Sequence, residues 1–158
     1  GRVAREKNID AFIDAPLPGS KVVVGDGPER ARLQRAHPEV RFVGYRFGDE
    51  LAACYSGADV FVFPSRTDTF GVVMLEANAC GVPIAAYPVT GPIDVVQDGV
   101  NGALDEDLVR AATRALQVPR DSCLAHARRN GWRRVAEVLL AHLVAADAGH
   151  ATANLSAS

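Results

Sequence analysis

The sequence predicts an α/β fold in which a Rossmann-like parallel sheet carries helices on both faces. Short apolar stretches rich in β-branched residues alternate with amphipathic stretches, and turn-forming Gly and Pro residues separate them. The strand-like stretches are apolar on both faces, which is typical of parallel strands covered by helices on each side. With 158 residues, the chain is long enough to bury the core of about one domain.

Four strands are predicted, and each runs into a turn or loop. They cover residues 21–24, 40–43, 59–63 and 82–86. Because the carboxyl ends of parallel strands meet at one edge of a sheet, the segments after these strands should lie together, where such sheets bind ligands. These segments are Gly25-Asp26-Gly27, Gly44-Tyr45, Pro64 to Phe70 and Tyr87 to Pro92.

Helices are predicted where apolar residues recur every three or four positions. They cover residues 9–14, 28–36, 49–56, 70–80, 105–118, a stretch from 120, and 132–146. Residues 88–92 are predicted to form a loop, and residues 98–102, with an Asp-Gly and an Asn-Gly pair, a double turn. The predicted domain organisation is one ligand-binding domain over residues 1–147 and a disordered tail over residues 148–158.

Composition and charge exclude several classes of function. The net charge of −2 provides no basic field for nucleic acid, and the aromatic content of 6% forms no basic-aromatic stripe. The three cysteines lie far apart, so they are interpreted as buried or idle thiols of a cytoplasmic protein. No apolar run approaches the roughly 20 residues that span a bilayer. The histidines form no metal pattern, and the chain contains neither a Walker motif nor G-x-G-x-x-G.

Two carboxylates flank the start of the helix that follows the third strand. Glu76 lies in a helix that is hydrophobic nearly all round, so its carboxylate should be largely buried and in need of partners. It either forms a structural ion pair, with Arg66 as one candidate partner, or accepts hydrogen bonds from two vicinal hydroxyls, as a ribose offers. Asp68, eight residues earlier, either caps the helix or contacts sugar hydroxyls.

Three further features are compatible with an anionic ligand. The free N–H groups at Phe70-Gly71 suit a diphosphate, although an ordinary helix start is the alternative. Arg2 and Lys7 are either solvated surface charges or a clamp that stabilises a diphosphate leaving group. Gly25-Asp26-Gly27-Pro28 is a tight turn that matches neither nucleotide-binding pattern named above.

Taken together, these segments resemble the C-terminal, donor-binding half of retaining glycosyltransferases of the GT-B fold, in the group 1 family (glycosyltransferase family 4-like). The matching motifs occur in the family's order over about residues 1–104. They are residues 1–8, 24–28, 40–44, 58–65, Asp68-x-Phe70-Gly71-x4-Glu76-Ala77, and 81–85. The resemblance implies a hexosyltransferase that moves a hexose from a nucleotide-diphosphate sugar, GDP-mannose or a UDP-sugar, to an acceptor hydroxyl. The variant over residues 67–71 is most similar to GDP-mannose-dependent α-mannosyltransferases.

The resemblance also implies roles for individual residues. Arg2 and Lys7 hold the donor diphosphate and Asp68 contacts the donor sugar, which makes these three the catalytic candidates. Glu76 holds the ribose. Asp68 stands where the family usually carries Glu, and its carboxylate therefore reaches about one methylene less far. The other donor-binding candidates, which line the base, phosphate and sugar positions, are Gly25, Gly27, Phe42, Val43, Gly44, Thr69, Phe70, Gly71 and Val72.

The resemblance implies a nucleotide-sugar substrate, no metal and no cofactor. It further implies that an N-terminal acceptor-binding domain and the strand before Gly1 belong to the whole enzyme but are absent from this sequence. Peripheral membrane association would come through that missing half. Three alternatives stay open: a nucleotide-sugar-binding fragment without activity, a sugar-nucleotide epimerase of the same fold, and a flavodoxin- or receiver-like signalling domain. The receiver alternative would require an acidic cluster after the first strand, which the sequence lacks.

Overall fold

The computed structural model describes residues 1–67 and 71–129, in which strands and helices alternate as the sequence predicts. The strands within these ranges are β1 (Val22–Val24), β2 (Arg41–Gly44), β3 (Phe61–Phe63), β4 (Ile84–Ala86) and β5 (Gly102–Leu104). The helices are α1 (Ile9–Asp14), α2 (Arg30–Ala36), α3 (Gly48–Ser56), α4 (Val72–Ala79), α5 (Pro92–Val95), α6 (Leu108–Ala115) and α7 (Arg120–Arg129). A 3₁₀ turn over Arg5–Lys7 precedes α1.

The strands of the described ranges form two parallel sheets. β1 pairs with β2, and the second sheet has the order β3-β4-β5. In both sheets every strand pair is parallel, so the carboxyl ends within each sheet lie at one edge. The predicted fold class, a parallel α/β arrangement, is therefore confirmed.

Helices cover the second sheet on both faces, as the alternation of side chains along β4 demonstrates. Ile84 and Ala86 pack in one apolar cluster with Met74 of α4. Ala85, the residue between them, packs in another cluster with Ala111 of α6. Since successive side chains of a strand point to opposite faces, α4 and α6 lie on opposite sides of the sheet. This arrangement places the start of α4 beside the carboxyl end of β3.

The first sheet has its own apolar core. Val23 of β1 and Leu33 of α2 are buried, and Ile13 of α1 packs with them. Val3, which precedes every strand in the chain, belongs to the same cluster and is 1% exposed. Burial of Val3 fixes the beginning of the chain against β1, and this has consequences for the site.

The structure adds a strand that the sequence pattern did not predict. Residues 98–102 were expected to form a double turn and residues from Asp105 onwards a helix, but Gly102–Leu104 forms β5 beside β4. Three residues without a β-branched side chain give no strand signal. Gly102 is required there because a Cβ atom would lie only 3.0 Å from the Ile84 carbonyl carbon. The helix begins at Leu108, where the Asp107 side chain accepts hydrogen bonds from Val109 and Arg110 N–H groups.

The remaining boundaries agree with expectation to within a few residues, apart from α5, which occupies part of the predicted loop at residues 88–92. The chain divides into a compact unit over Gly1–Ala127 and a second over Arg128–Ser158. The predicted helix at residues 132–146 and the predicted tail lie outside the described residues. The expected domain boundary near residue 147 therefore stays a prediction.

Candidate functional site

The N-terminal segment (Gly1–Asn8) lies across the carboxyl ends of two strands that belong to different sheets. Near β1, the Val3 N–H donates to the Asp26 carbonyl at 2.9 Å. Near β3, the Asn8 side-chain amide donates to the Pro64 carbonyl at 3.0 Å. Asp26 lies just after the end of β1, and Pro64 directly follows the end of β3. The segment therefore lies at the edge where parallel α/β sheets bind ligands.

Gly25 and Gly27 make room for this segment. A Cβ atom on Gly27 would lie 2.8 Å from the Val3 nitrogen and carbonyl carbon, and closer still to the Val3 oxygen. A Cβ atom on Gly25 would similarly collide with the backbone of Gly1, and Gly25 has a φ of 140° that favours glycine. The close approach of the N-terminal segment thus explains why both positions are occupied by glycine. Their predicted place beside the donor phosphates stays a prediction.

The segment carries Arg2 and Lys7, the two predicted cations. Arg2 is exposed, and its guanidinium lies 3.8 Å from the Glu6 carboxylate in a solvated contact. Lys7 is half-buried. Both predicted cations thus belong to the backbone segment that reaches the ends of β1 and β3.

Glu76 lies on α4 with its carboxylate partly buried, less deeply than the apolar sequence around it suggested. The Tyr55 hydroxyl donates a hydrogen bond to Glu76 Oε2 at 3.1 Å. The suggested ion pair with Arg66 is wrong, because Arg66 instead lies 3.2 Å from the Glu106 carboxylate and 3.6 Å from the centre of the Tyr87 ring. A carboxylate has about four lone-pair positions, so Glu76 retains acceptor capacity for ligand hydroxyls.

Tyr55 is a site residue that the sequence analysis did not single out. Its ring packs in an apolar cluster, and a buried phenol also requires a polar partner. Burial raises the pKa of Tyr55, and the Glu76 carboxylate raises it further. The phenol consequently stays protonated and continues to donate to Glu76.

α4 begins without a capping side chain from the described residues. Gly71, which is buried, precedes Val72, the first helical residue. A Cβ atom on Gly71 would lie 3.4 Å from Met74 Cγ and closer to Met74 Cε, so glycine also serves packing here. Three predicted sugar- and phosphate-contacting residues lie outside the described residues, and they are Asp68, Thr69 and Phe70.

The predicted base-binding residues end β2. The Phe42 side chain packs against the core of the first sheet, and Val43 is half-buried, so any ligand contact there would use the strand end. Gly44 has a φ of 73°, and its carbonyl accepts from the Gly25 N–H at 2.8 Å. Just beyond it, Tyr45 and Phe47 are exposed, with stacked rings 6.1 Å apart. Tyr45 belongs to a segment that was expected at this edge, whereas Phe47 was not singled out by the sequence analysis.

Over residues 1–67 and 71–129, no cluster of three or more His, Cys, Asp or Glu side chains has the arrangement needed to hold a metal ion. No helix in the described part of the chain combines the length and apolar character required to cross a membrane.

The comparison with known families identifies the family to which the chain belongs. A family described as "Glycosyl transferases group 1" matches residues 1–118. The chain belongs to this family. The family resemblance inferred from the sequence motifs is thereby confirmed.

Similar proteins include mannosyltransferases of actinobacteria. A GDP-mannose-dependent alpha-mannosyltransferase of Corynebacterium glutamicum is 38% identical over 157 residues, covering 90% of this chain and 38% of that protein. One of Mycobacterium tuberculosis is 42% identical over 106 residues, covering 66% of this chain and 28% of that protein. The chain therefore spans less than two fifths of the length of these curated relatives.

Solved glycosyltransferase structures share the fold. Anabaena Alr3699/HepE, solved in complex with UDP, aligns with a TM-score of 0.69 and 22% identity, over 89% of this chain and 47% of that one. The lipopolysaccharide outer core galactosyltransferase WaaB aligns with a TM-score of 0.68 and 20% identity, over 82% of this chain and 43% of that one. At such identities the likeness establishes the fold alone.

Proposed function

We propose that this chain forms the donor-binding part of a retaining glycosyltransferase that transfers a hexose from a nucleotide-diphosphate sugar to an acceptor hydroxyl. In this proposal Glu76 binds the ribose, while Arg2 and Lys7 bind the diphosphate. Asp68 contacts the sugar, and the backbone N–H groups at the start of α4 bind sugar and phosphate oxygens. No metal takes part.

One observation carries the proposal. The N-terminal segment, which holds Arg2 and Lys7, is hydrogen-bonded across the ends of β1 and β3, and α4, which carries Glu76, packs against β3. A carboxylate for vicinal hydroxyls and cations for a diphosphate thus line one edge. That is the arrangement a nucleoside diphosphate requires.

The chemistry assigned to these residues is positioning and charge stabilisation. As the bond between the anomeric carbon and the phosphate oxygen breaks, negative charge develops on the leaving diphosphate. Cations and helix N–H groups aimed at that charge stabilise the transition state more than the ground state. The leaving phosphate accepts the proton of the acceptor hydroxyl, so no protein nucleophile is needed. The acceptor hydroxyl belongs to a second substrate, and the proposal assigns the residues named above to the donor only.

GDP-mannose is the proposed donor. Two relatives that are 38% and 42% identical are GDP-mannose-dependent alpha-mannosyltransferases. The chain's family favours a transferase over the epimerase alternative considered above. UDP-glucose is the comparison donor, since Alr3699/HepE was also solved with that molecule.

Calorimetric titration of the 158-residue chain with GDP-mannose, UDP-glucose, GDP and guanosine tests the proposal. We expect GDP-mannose and GDP to bind, with unchanged affinity when EDTA replaces magnesium. Glu76→Ala should weaken GDP by about tenfold or more, because hydrogen bonds to a charged group contribute about 1.5–3 kcal/mol. Arg2→Ala with Lys7→Ala should weaken GDP strongly and guanosine little.

Arg5→Ala is the matched control for charge removal. Arg5 lies in the same segment, but its side chain is 87% exposed and lies 3.7 Å from Glu29. Its removal should change GDP affinity less than twofold. Absence of binding by every nucleotide, or equal losses for GDP and guanosine in the Arg2 and Lys7 double variant, would contradict the proposal.

A further inference from the structure

The hydroxyl of Tyr55 is the hydrogen-bond donor that the structure aims at Glu76. Tyr55 lies on α3, 21 residues before Glu76, and its hydroxyl is 3.1 Å from Glu76 Oε2. α3 packs directly against α4, so this contact links two helices on the same side of the second sheet. The bond thus sets the direction of a side chain that otherwise has several rotatable bonds.

The Tyr55 ring is held firmly enough to act as a support. Only 9% of the residue is exposed, and it packs in an apolar cluster with Ala77 and Val82. The Phe61 ring meets it edge-on, with centres 5.6 Å apart and planes at 71°. A ring fixed on several sides presents its hydroxyl in one place.

The bond from Tyr55 uses only one of the acceptor positions of the Glu76 carboxylate. Tyr55 engages Oε2, which still has a further lone-pair position, and the other carboxylate oxygen, Oε1, has two. The bond to Tyr55 reduces the rotamer freedom of the carboxylate that binding would otherwise remove.

We propose that Tyr55 is a positioning residue for ribose recognition, which orients Glu76 toward the 2′- and 3′-hydroxyls of the nucleotide. The proposal rests on the ribose-binding role of Glu76 given above. It adds a residue that touches no ligand and acts through Glu76. Its signature is a loss of selectivity for ribose over deoxyribose, because a purely structural residue would lower affinity for both alike.

The test compares GDP with 2′,3′-dideoxy-GDP by calorimetry, on the wild-type 158-residue chain and on Tyr55→Phe. The wild type should prefer GDP. Tyr55→Phe retains the ring and its packing but removes the hydroxyl, so GDP affinity should fall about tenfold while dideoxy-GDP affinity changes less than twofold. Loss of affinity for both nucleotides by the same factor, or an unchanged preference for GDP, would overturn the proposal.

Two further variants separate positioning from general packing. Phe61→Leu removes the edge contact with the Tyr55 ring but keeps its hydroxyl, so it should lower the melting temperature and leave the GDP preference within twofold. In a Glu76→Gln background, Tyr55→Phe should cause no additional loss of the preference, because the group it positions is already gone. An additive loss in the double variant would refute action through Glu76.

The same titrations distinguish this proposal from the function on which it rests. If the wild type binds GDP and prefers it to the dideoxy analogue, but Tyr55→Phe behaves like the wild type, only the positioning role fails. If the wild type shows no preference between the two nucleotides, the ribose-binding role of Glu76 fails and the positioning role with it.

Discussion

Replacing Gly27 by Ala should displace the N-terminal segment and weaken donor binding together with stability. The added Cβ atom would lie 2.8 Å from two backbone atoms of Val3, where an ordinary contact begins at 3.4 Å. The two backbones must therefore separate by more than half an ångström. That movement strains the Val3 N–H bond to Asp26 and the Glu29 N–H bond to the Val3 carbonyl. It also loosens Val3 itself, which is 1% exposed.

The cost of this displacement follows from those contacts. Overpacking against backbone costs about 1–3 kcal/mol, and each of the two weakened hydrogen bonds about 1 kcal/mol, so the free energy of unfolding should fall by about 3–5 kcal/mol. Because the moved segment carries Arg2 and Lys7, GDP affinity should also fall about tenfold or more. Urea unfolding followed by circular dichroism measures the first effect, and calorimetry measures the second.

Gly19→Ala is the control for this experiment. Gly19 has a φ of 87°, and a Cβ atom there would have nothing within 4 Å. Its substitution introduces backbone strain of about 1–2 kcal/mol without touching the segment, and GDP affinity should not change. The reasoning is refuted if Gly27→Ala lowers stability by less than about 1 kcal/mol and binds GDP as the wild type does.

Three other substitutions or treatments test the packing and charges described above. Asn101→Ala should lower the free energy of unfolding in urea by about 3 kcal/mol, because the buried amide bonds to Asn78 and to backbone groups that would be left unpaired. The Arg30 hydrogen bond and the Gly27 N–H lower the pKa of Asp26, so the ionised carboxylate contributes stability above about pH 4. The melting temperature of Asp26→Asn should therefore lie below that of the wild type at pH 7, and the gap should close as the pH falls below 4; a constant gap contradicts the assignment. Burial raises the pKa of the Cys123 thiol, so iodoacetamide at pH 8 should modify it in urea but not in the native protein, as measured by mass spectrometry.

The strands that the sequence predicted and the strand it missed differ in composition. The first four contain β-branched or aromatic runs, such as Val22–Val24 and Phe61–Phe63, whose pattern indicates a buried strand. Gly102–Leu104 lacks such a run and owes its conformation to the neighbouring β4 backbone, which approaches so closely that only glycine fits. A strand determined by its neighbour leaves no local signal.

The site was predictable as a set of segments but not as a set of contacts. The carboxyl ends of parallel strands share one edge, and this placed the loop after β3 there, whereas Arg2 and Lys7 were assigned by the family resemblance. Arg66 was one candidate partner for Glu76, but in the structure the partner is Tyr55. Such pairings depend on how α3 packs against α4, which no spacing along the chain encodes.

The manner in which the N-terminal segment is anchored bears on how donor preference can change during evolution. Its hydrogen bonds to the strand ends include those of the Val3 backbone and of the Asn8 side chain. The hydroxyl groups of Ser65 and Thr67, which follow β3, donate to the Glu6 carbonyl. The Arg2 side chain contributes to none of them. Substitutions at Arg2 can therefore alter the charge presented to a phosphate without dismantling the scaffold. In the proposed function, this separation lets side-chain changes alter the contacts with the donor at little cost in folding.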